Sequence, residues 1–294
     1  MITVDDAFRK FRSNLETTDT EDTTASSRQR KIRSQLDEAF DIISDFLTGA
    51  YRRHTKTKPL RDVDIMIVLR DTSWLDKHPR EILEAVREVL APHYGAARVC
   101  TDRRAVRVDF GVQHVDDLNG EVISFDVVPA FEDGDHYLIP DDHLGIWVPT
   151  NPKIHAELAT AANENFAGQW KPLVKMIKKW NQVHGGPVEP GFLIEVMALE
   201  LITGTWTGSH AYELRQFFAS AADRIAGRWP DPAGVGPDIS DVLDEDQAKM
   251  RRALTALREA EAACTRAILL DRQGKTGEAL SAWRSLFGDL FPLS

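Results

Sequence analysis

The run DVDIMIVL, residues 62–69, narrows the possible folds more than any other segment of the chain. Its β-branched and apolar residues predict a strand buried within a sheet. It nevertheless opens with two acids two positions apart, Asp62 and Asp64. Side chains alternate across a strand, so both carboxylates point to one side while Val63 points the other way, into the core. Two neighbouring carboxylates repel unless a cation sits between them, and hard oxygen donors at this density suit Mg²⁺ or Mn²⁺. Taken alone, the pair fits a solvated strand face or an acidic strand start equally well.

Two other features make it more specific. Asp126 lies within VISFDVVPAF, flanked by Phe125 and Val127, in a second strand expected over 122–128. A carboxylate in such a run is costly unless it is paired or bound to metal. Upstream, a helix expected over 26–46, with Ile32, Leu36, Phe40, Ile43 and Leu47 as its apolar stripe, stops at Thr48-Gly49, where glycine can end a helix and turn the chain.

Elsewhere the spacing predicts a short amphipathic helix over 3–17, a loop through TTDTEDTTASS (17–27), and a helix over 73–90. Strands follow over 97–101 and 105–110, and irregular or hairpin structure over 135–149. From Pro152 the pattern becomes helical, near 152–166, 170–184, 190–203, 210–226, 240–272 and 275–289. The expected class is α+β. Residues 1–150 form a mixed sheet with helices, residues 151–294 form a helical lobe, and a ligand cleft lies between them.

Composition excludes some functions. No segment approaches the eighteen or so apolar residues a membrane helix needs, and the start MITVDDAFRK has no signal-peptide pattern. Two cysteines, Cys100 and Cys264, without a partner motif fit a reducing cytoplasm and no zinc site. The net charge of −10 argues against broad binding of duplex nucleic acid. It leaves room for a single nucleotide held by metal and a few lysines.

The segment LTGAYRRHTKTKPLRDVDIMIVL (47–69) resembles the helix–turn–strand signature of DNA polymerase β-type nucleotidyltransferases. More closely, it resembles the cGAS/DncV-like nucleotidyltransferases of bacteria, the CD-NTases of CBASS anti-phage systems. Their pattern T-G-S-Y-x-R-x-T, then D-x-D, is matched by Thr48-Gly49-Ala50-Tyr51-Arg52-Arg53-His54-Thr55 and Asp62-Val63-Asp64, with Asp126 in FDVVPAF as the third acid. LVKMIKKWN (173–181), PGFLIEVMALEL (190–201) and AWRSLFGDLFP (282–292) extend the likeness through the helical half.

The resemblance implies a polymerase β-like core and two Mg²⁺ or Mn²⁺ ions on Asp62, Asp64 and Asp126. It implies nucleotide contacts from Gly49, Ala50 and Lys178, with Lys175 on the same helix face. Phe192 would stack on a base and Asn163 would approach the second base. Ordinary readings compete for these four: a solvated lysine face, a core phenylalanine, a surface asparagine. The implied reaction joins nucleoside triphosphates (ATP, GTP or pyrimidine nucleotides) into a cyclic di- or trinucleotide second messenger, with release of pyrophosphate, in anti-phage signalling. The enzyme would be a cytoplasmic monomer with a regulatory partner protein from the same operon, and without membrane or sequence-specific nucleic acid.

Position 50 departs from the pattern. The family usually has serine there, contacting the terminal phosphates; this chain has Ala50. Main-chain N–H groups of such a turn still bind anions. One lost hydrogen bond is worth about 0.5–1.5 kcal/mol, or about 1.5–3 kcal/mol to a charged partner. Two rival functions stay open: transfer of nucleotides to RNA or protein, and a nucleotide-binding regulator with a weakened site.

Overall fold

In the computed structural model, which describes residues 2–58, 60, 62–111 and 124–294, the chain divides into two compact units. One comprises residues 17–156; the other joins residues 1–16 to 157–294. The first helix, α1 (Val4–Asn14), belongs to the second unit. Thr3 caps it by accepting from Asp6 N at 3.1 Å. Val4, Ala7, Phe8 and Phe11 form its buried stripe. Phe8 packs edge-on against Trp283 and Phe291, at 5.0 and 5.2 Å between ring centres. Chain order had grouped residues 1–16 with the sheet; aromatic packing puts them with the helices.

The unit of residues 17–156 begins with α2 (Asp19–Leu36), followed by β1 (Ile42–Leu47). Both differ from the expected loop over 17–27 and helix over 26–46. Thr18 and Glu21 form a reciprocal capping box, which starts the helix inside the polar stretch. Residues 42–47 leave the helical stripe because they pair antiparallel with the next strand, Asp45 opposite Ile67 and Phe46 opposite Met66. Next come α3 (Gly49–Arg52), β2 (Asp62–Leu69) and α4 (Pro79–Tyr94). The strands β3 (Val99–Thr101), β4 (Val106–Asp109), β5 (Ser124–Asp133), β6 (His136–Asp141) and β7 (Ile146–Thr150) complete the unit. The expected start of β5 at Val122 lies outside the described residues.

The sheet runs β1-β2-β5-β4-β3, with β6 pairing the far part of β5 and β7 pairing β6. β2 and β5 are parallel; the other pairs are antiparallel. Alternation divides the two sheet faces cleanly. Val63, Ile65, Ile67 and Leu69 of β2, with Phe125, Val127 and Phe131 of β5, pack against α2 and α4 through Ile32, Leu36, Ile82, Leu83, Val86 and Leu90. On the opposite face Met66, Val68 and Ala130 form a smaller core with Ile139 and Val148. Asp62, Asp64 and Asp126 belong to that second face, at the end where its apolar cover stops.

The other unit is helical: α5 (Pro152–Asn165), α6 (Trp170–Val183), α7 (Gly191–Leu201), α8 (His210–Arg224), α9 (Asp241–Asp244), α10 (Gln247–Arg272) and α11 (Thr276–Phe287). The expected helix over 240–272 is two, because Asp246 caps α10 by accepting from Ala248 N and Lys249 N. Trp170, Trp180, Trp229 and Trp283 are fully buried. Among the described residues no helix is long and apolar enough to cross a membrane.

Candidate active site

The parallel pairing of β2 with β5 sets Asp64 opposite Asp126 and Asp62 opposite Ser124. Aligned residues of parallel strands share a face, so all three carboxylates stand on one side of the sheet. Asp62 is exposed; Asp64 and Asp126 are half-buried. Ser124 Oγ donates to Asp62 Oδ1 at 2.8 Å.

The turn before α3 is fixed to this strand pair. Thr48 N donates to the main-chain oxygen of Asp64 at 2.8 Å. Gly49 has φ +58°, and a β-carbon built on it would meet Asp64 Oδ2 at 1.6 Å. Only glycine fits, for conformation and for space. Ala50 is half-buried in the first turn of α3. Behind it, Tyr51 lies under the Lys56 ammonium, 3.6 Å from the ring centre. Burial, and then the charge and hydrogen bond of Asp22, push the Tyr51 hydroxyl up to about 12. Glu21, 1% exposed, accepts from Thr18 N at 2.7 Å and from Leu60 N at 3.2 Å. It therefore ties α2 to the chain entering β2.

Arg107 was not anticipated. It is the register partner of Asp126 on β4. Its Nε donates to Asp126 Oδ1 at 3.0 Å and its Nη2 to Oδ2 at 3.2 Å. Burial raises the Asp126 carboxyl above its ordinary value; the Arg107 hydrogen bonds and charge oppose the rise, and the Asp62 charge adds to it. The same hydrogen bonds hold the Arg107 guanidinium above its own ordinary value. A signal was present in the sequence: a charged residue between two apolar ones on a strand, Val106 and Val108, must face away from the core.

The donor set fits a hard divalent cation: three carboxylates on one accessible sheet face. They are not drawn into a cage. Among the described residues no three His, Cys, Asp or Glu side chains converge as metal ligands, and both Asp126 oxygens face Arg107.

The remaining candidates lie in the helical unit. Lys178 of α6 donates to Glu195 Oε1 of α7, an acid 1% exposed. Lys175, itself buried, donates to Glu16 Oε2 at 2.6 Å. Phe192 is half-buried on the first turn of α7 against the core. Asn163 Oδ1 accepts from Lys171 N at 3.0 Å, serving a main-chain donor at the start of α6. These contacts give Lys175 and Asn163 structural tasks within their unit.

Known proteins share this fold. Residues 1–163 match the family model described as Second Messenger Oligonucleotide or Dinucleotide Synthetase domain. A cyclic AMP-AMP-AMP synthase of Acinetobacter sp. (strain ATCC 27244 / 9458) is 27% identical over all of this chain and 87% of its own length. Among solved structures, E. coli MS115-1 CdnC with ATP superposes with a TM-score of 0.72 at 16% identity, covering 99% of each chain. CdnC in its CdnC:HORMA-deltaN complex gives 0.68 at 16% identity, covering 98% of each. At those identities the structures speak for the fold, a polymerase β-like nucleotidyltransferase core with a helical unit. With the family model matched over more than half of its length, the chain belongs to the second messenger oligonucleotide or dinucleotide synthetases, the cGAS/DncV-like (CD-NTase) nucleotidyltransferases.

Proposed function

We propose that this protein is a cyclic oligonucleotide synthase, joining nucleoside triphosphates into a cyclic di- or trinucleotide second messenger with release of pyrophosphate. The register of Asp64 with Asp126, with Asp62 on the same face, carries the proposal. Asp62, Asp64 and Asp126 would hold two Mg²⁺ or Mn²⁺ ions. Such ions, when bound, neutralise phosphate charge and lower the pKa of a ribose hydroxyl. Main-chain N–H groups of Gly49 and Ala50 hold terminal phosphate oxygens, and Asp64, packed on that turn, keeps phosphate and acids in one frame. A carboxylate oxygen of Asp126 takes the proton of the attacking hydroxyl. The hydroxyl oxygen bonds to the α-phosphorus as the bond to pyrophosphate breaks, and a second round closes the ring. The protein's part is positioning and charge compensation. Lys178 is our phosphate ligand of choice, with Lys175 second; Phe192 is the proposed stacking ring and Asn163 a base contact.

The similarity to a cyclic AMP-AMP-AMP synthase makes ATP the first substrate to test. The likeness to a CdnC solved with HORMA-deltaN supports testing a regulatory partner from the same operon, and with it an anti-phage role. The protein should be incubated with Mg²⁺ or Mn²⁺ and labelled nucleotides, then treated with phosphatase. A resistant small product supports cyclisation. Label on added RNA or protein supports transfer to a macromolecule instead. Ala50 favours one further reading, a weakened nucleotide-binding regulator, which predicts binding without product.

A further inference from the structure

Arg107 has no part in the reaction as proposed, yet it occupies both oxygens of one of its acids. The contact is built into the sheet. Val106 pairs with Val127 and Val108 with Phe125, and all four are fully buried. Sliding β4 by one residue would expose these side chains, so the register that sets Arg107 opposite Asp126 is fixed by the core. Directly opposed residues keep their β-carbons about 4.5–5.5 Å apart, and opposite charges there attract. The planar guanidinium matches a carboxylate in two parallel bonds, which an ammonium cannot do.

The same group is free to leave. The Arg107 side chain is 42% exposed, against 16% for Asp126. A guanidinium at the water boundary can turn outward and be rehydrated, whereas the half-buried carboxylate cannot follow it. The ionised Asp126 carboxylate therefore needs a cation beside it, and two kinds can serve it. We infer that Arg107 is a resident counter-ion of Asp126 that a divalent cation displaces, so that Arg107 sets how tightly the acids take that cation. This rests on the reading of Asp62, Asp64 and Asp126 as cation ligands. Arg107 is here a positioning residue: it holds Asp126 in place without metal and yields both oxygens when metal arrives. Removing the guanidinium leaves three carboxylates with one positive charge fewer beside them. Cation affinity should then rise by about five- to tenfold, the scale of a partly exposed charge pair.

Binding can be read without catalysis. Mn²⁺ is titrated into the full chain without nucleotide, and free Mn²⁺ is followed by electron paramagnetic resonance. Arg107→Gln should bind Mn²⁺ about five- to tenfold more tightly than the wild type. Equal or weaker binding would overturn the exchange and make Arg107 a support for the cation-bound state. If Arg107→Gln does not fold, Arg107→Lys keeps the charge and loses the two-bond geometry. It should still bind about two- to threefold more tightly, and no increase overturns the proposal. The double variant Asp62→Asn/Asp64→Asn separates the two levels. Wild-type binding in it removes the cation site itself. Lost binding there, with no gain in the Arg107 variants, removes only the exchange.

Discussion

Gly49 approaches Asp64 so closely that a β-carbon at position 49 would lie 1.6 Å from Asp64 Oδ2. The turn at Thr48–Gly49 and the acid strand are thereby one rigid piece, joined again by the Thr48 N to Asp64 O hydrogen bond. Gly49→Ala forces a side chain into left-handed backbone, at about 1–2 kcal/mol, and displaces the Asp64 carboxylate. Pyrophosphate release should fall at least about a hundredfold, the scale on which a misplacement near 1 Å acts. Thermal unfolding should drop only modestly. Wild-type turnover in this variant would show that turn and acid are not coupled.

Asp62→Asn/Asp64→Asn keeps shape and removes two charges, one exposed and one half-buried, from a strand end. Folding should survive, because the repulsion between the carboxylates is also gone. Pyrophosphate release should be abolished. Undiminished turnover would refute the assignment of these acids.

Ala50→Ser adds a hydroxyl in the turn at the position where the family resemblance implies a serine. A hydrogen bond to a charged phosphate is worth about 1.5 kcal/mol at the low end, so KM for the triphosphate should fall by roughly tenfold. Steady-state kinetics with ATP measure it. An unchanged KM would mean that the main chain alone makes this contact.

Glu21 joins α2 to the entrance of β2 from a fully enclosed position. Glu21→Ala leaves Thr18 N and Leu60 N without their acceptor and should cost about 2–3 kcal/mol. Glu21→Gln keeps one acceptor but sets its NH2 against the other N–H, so it should cost less than Glu21→Ala while still destabilising. Chemical denaturation of the two variants gives the comparison, and equal losses would contradict the hydrogen-bond account.

Asp141 is completely buried beneath Arg103 and Arg104, whose Nε atoms donate to it at 2.9 and 2.8 Å. Burial alone would raise its carboxyl. The Arg103 hydrogen bond, the Leu144 N–H and the Arg104 charge together outweigh burial and hold it below its ordinary 3.8. A depressed folded value stabilises the protein above the unfolded value and is lost as pH falls through the folded one. Stability should therefore decline below about pH 4. Asp141→Asn should lose about 3 kcal/mol near neutrality, and its deficit should shrink as the pH is lowered from 4 toward 2. Parallel curves for wild type and variant would exclude Asp141 as the source.

Much of this architecture was written locally in the chain. The strand at Asp62–Leu69 coincides with its apolar run, and the helices of the second half follow their periodicity closely. Residues 42–47 read as helix because Ile43 and Leu47 continue the helical stripe of Ile32, Leu36 and Phe40 while fitting a strand alike. Only pairing with Met66 and Ile67 decides between them, and no local pattern contains that partner. Arg107 was legible as an outward-facing charge, but its meaning depends on the strand beside it. Glu21 was hidden in a polar stretch whose capping box makes it structural. Lys178 was visible on its helix, whereas its buried partner Glu195 follows from how α6 packs on α7.

The placement of α1 has a consequence for synthesis. Phe8 and Phe11 are made long before the rings of Trp283, Phe287 and Phe291 that they pack on. Residues 17–156 can pair their strands in the meantime, since among the described residues their buried core draws on nothing after Val148. Until those rings emerge, the apolar stripe of α1 lacks much of its aromatic cover, though Phe8 also stacks on His210. A chain cut off before residue 283 would thus keep the core of its sheet but leave α1 with an exposed apolar stripe, a patch prone to aggregation.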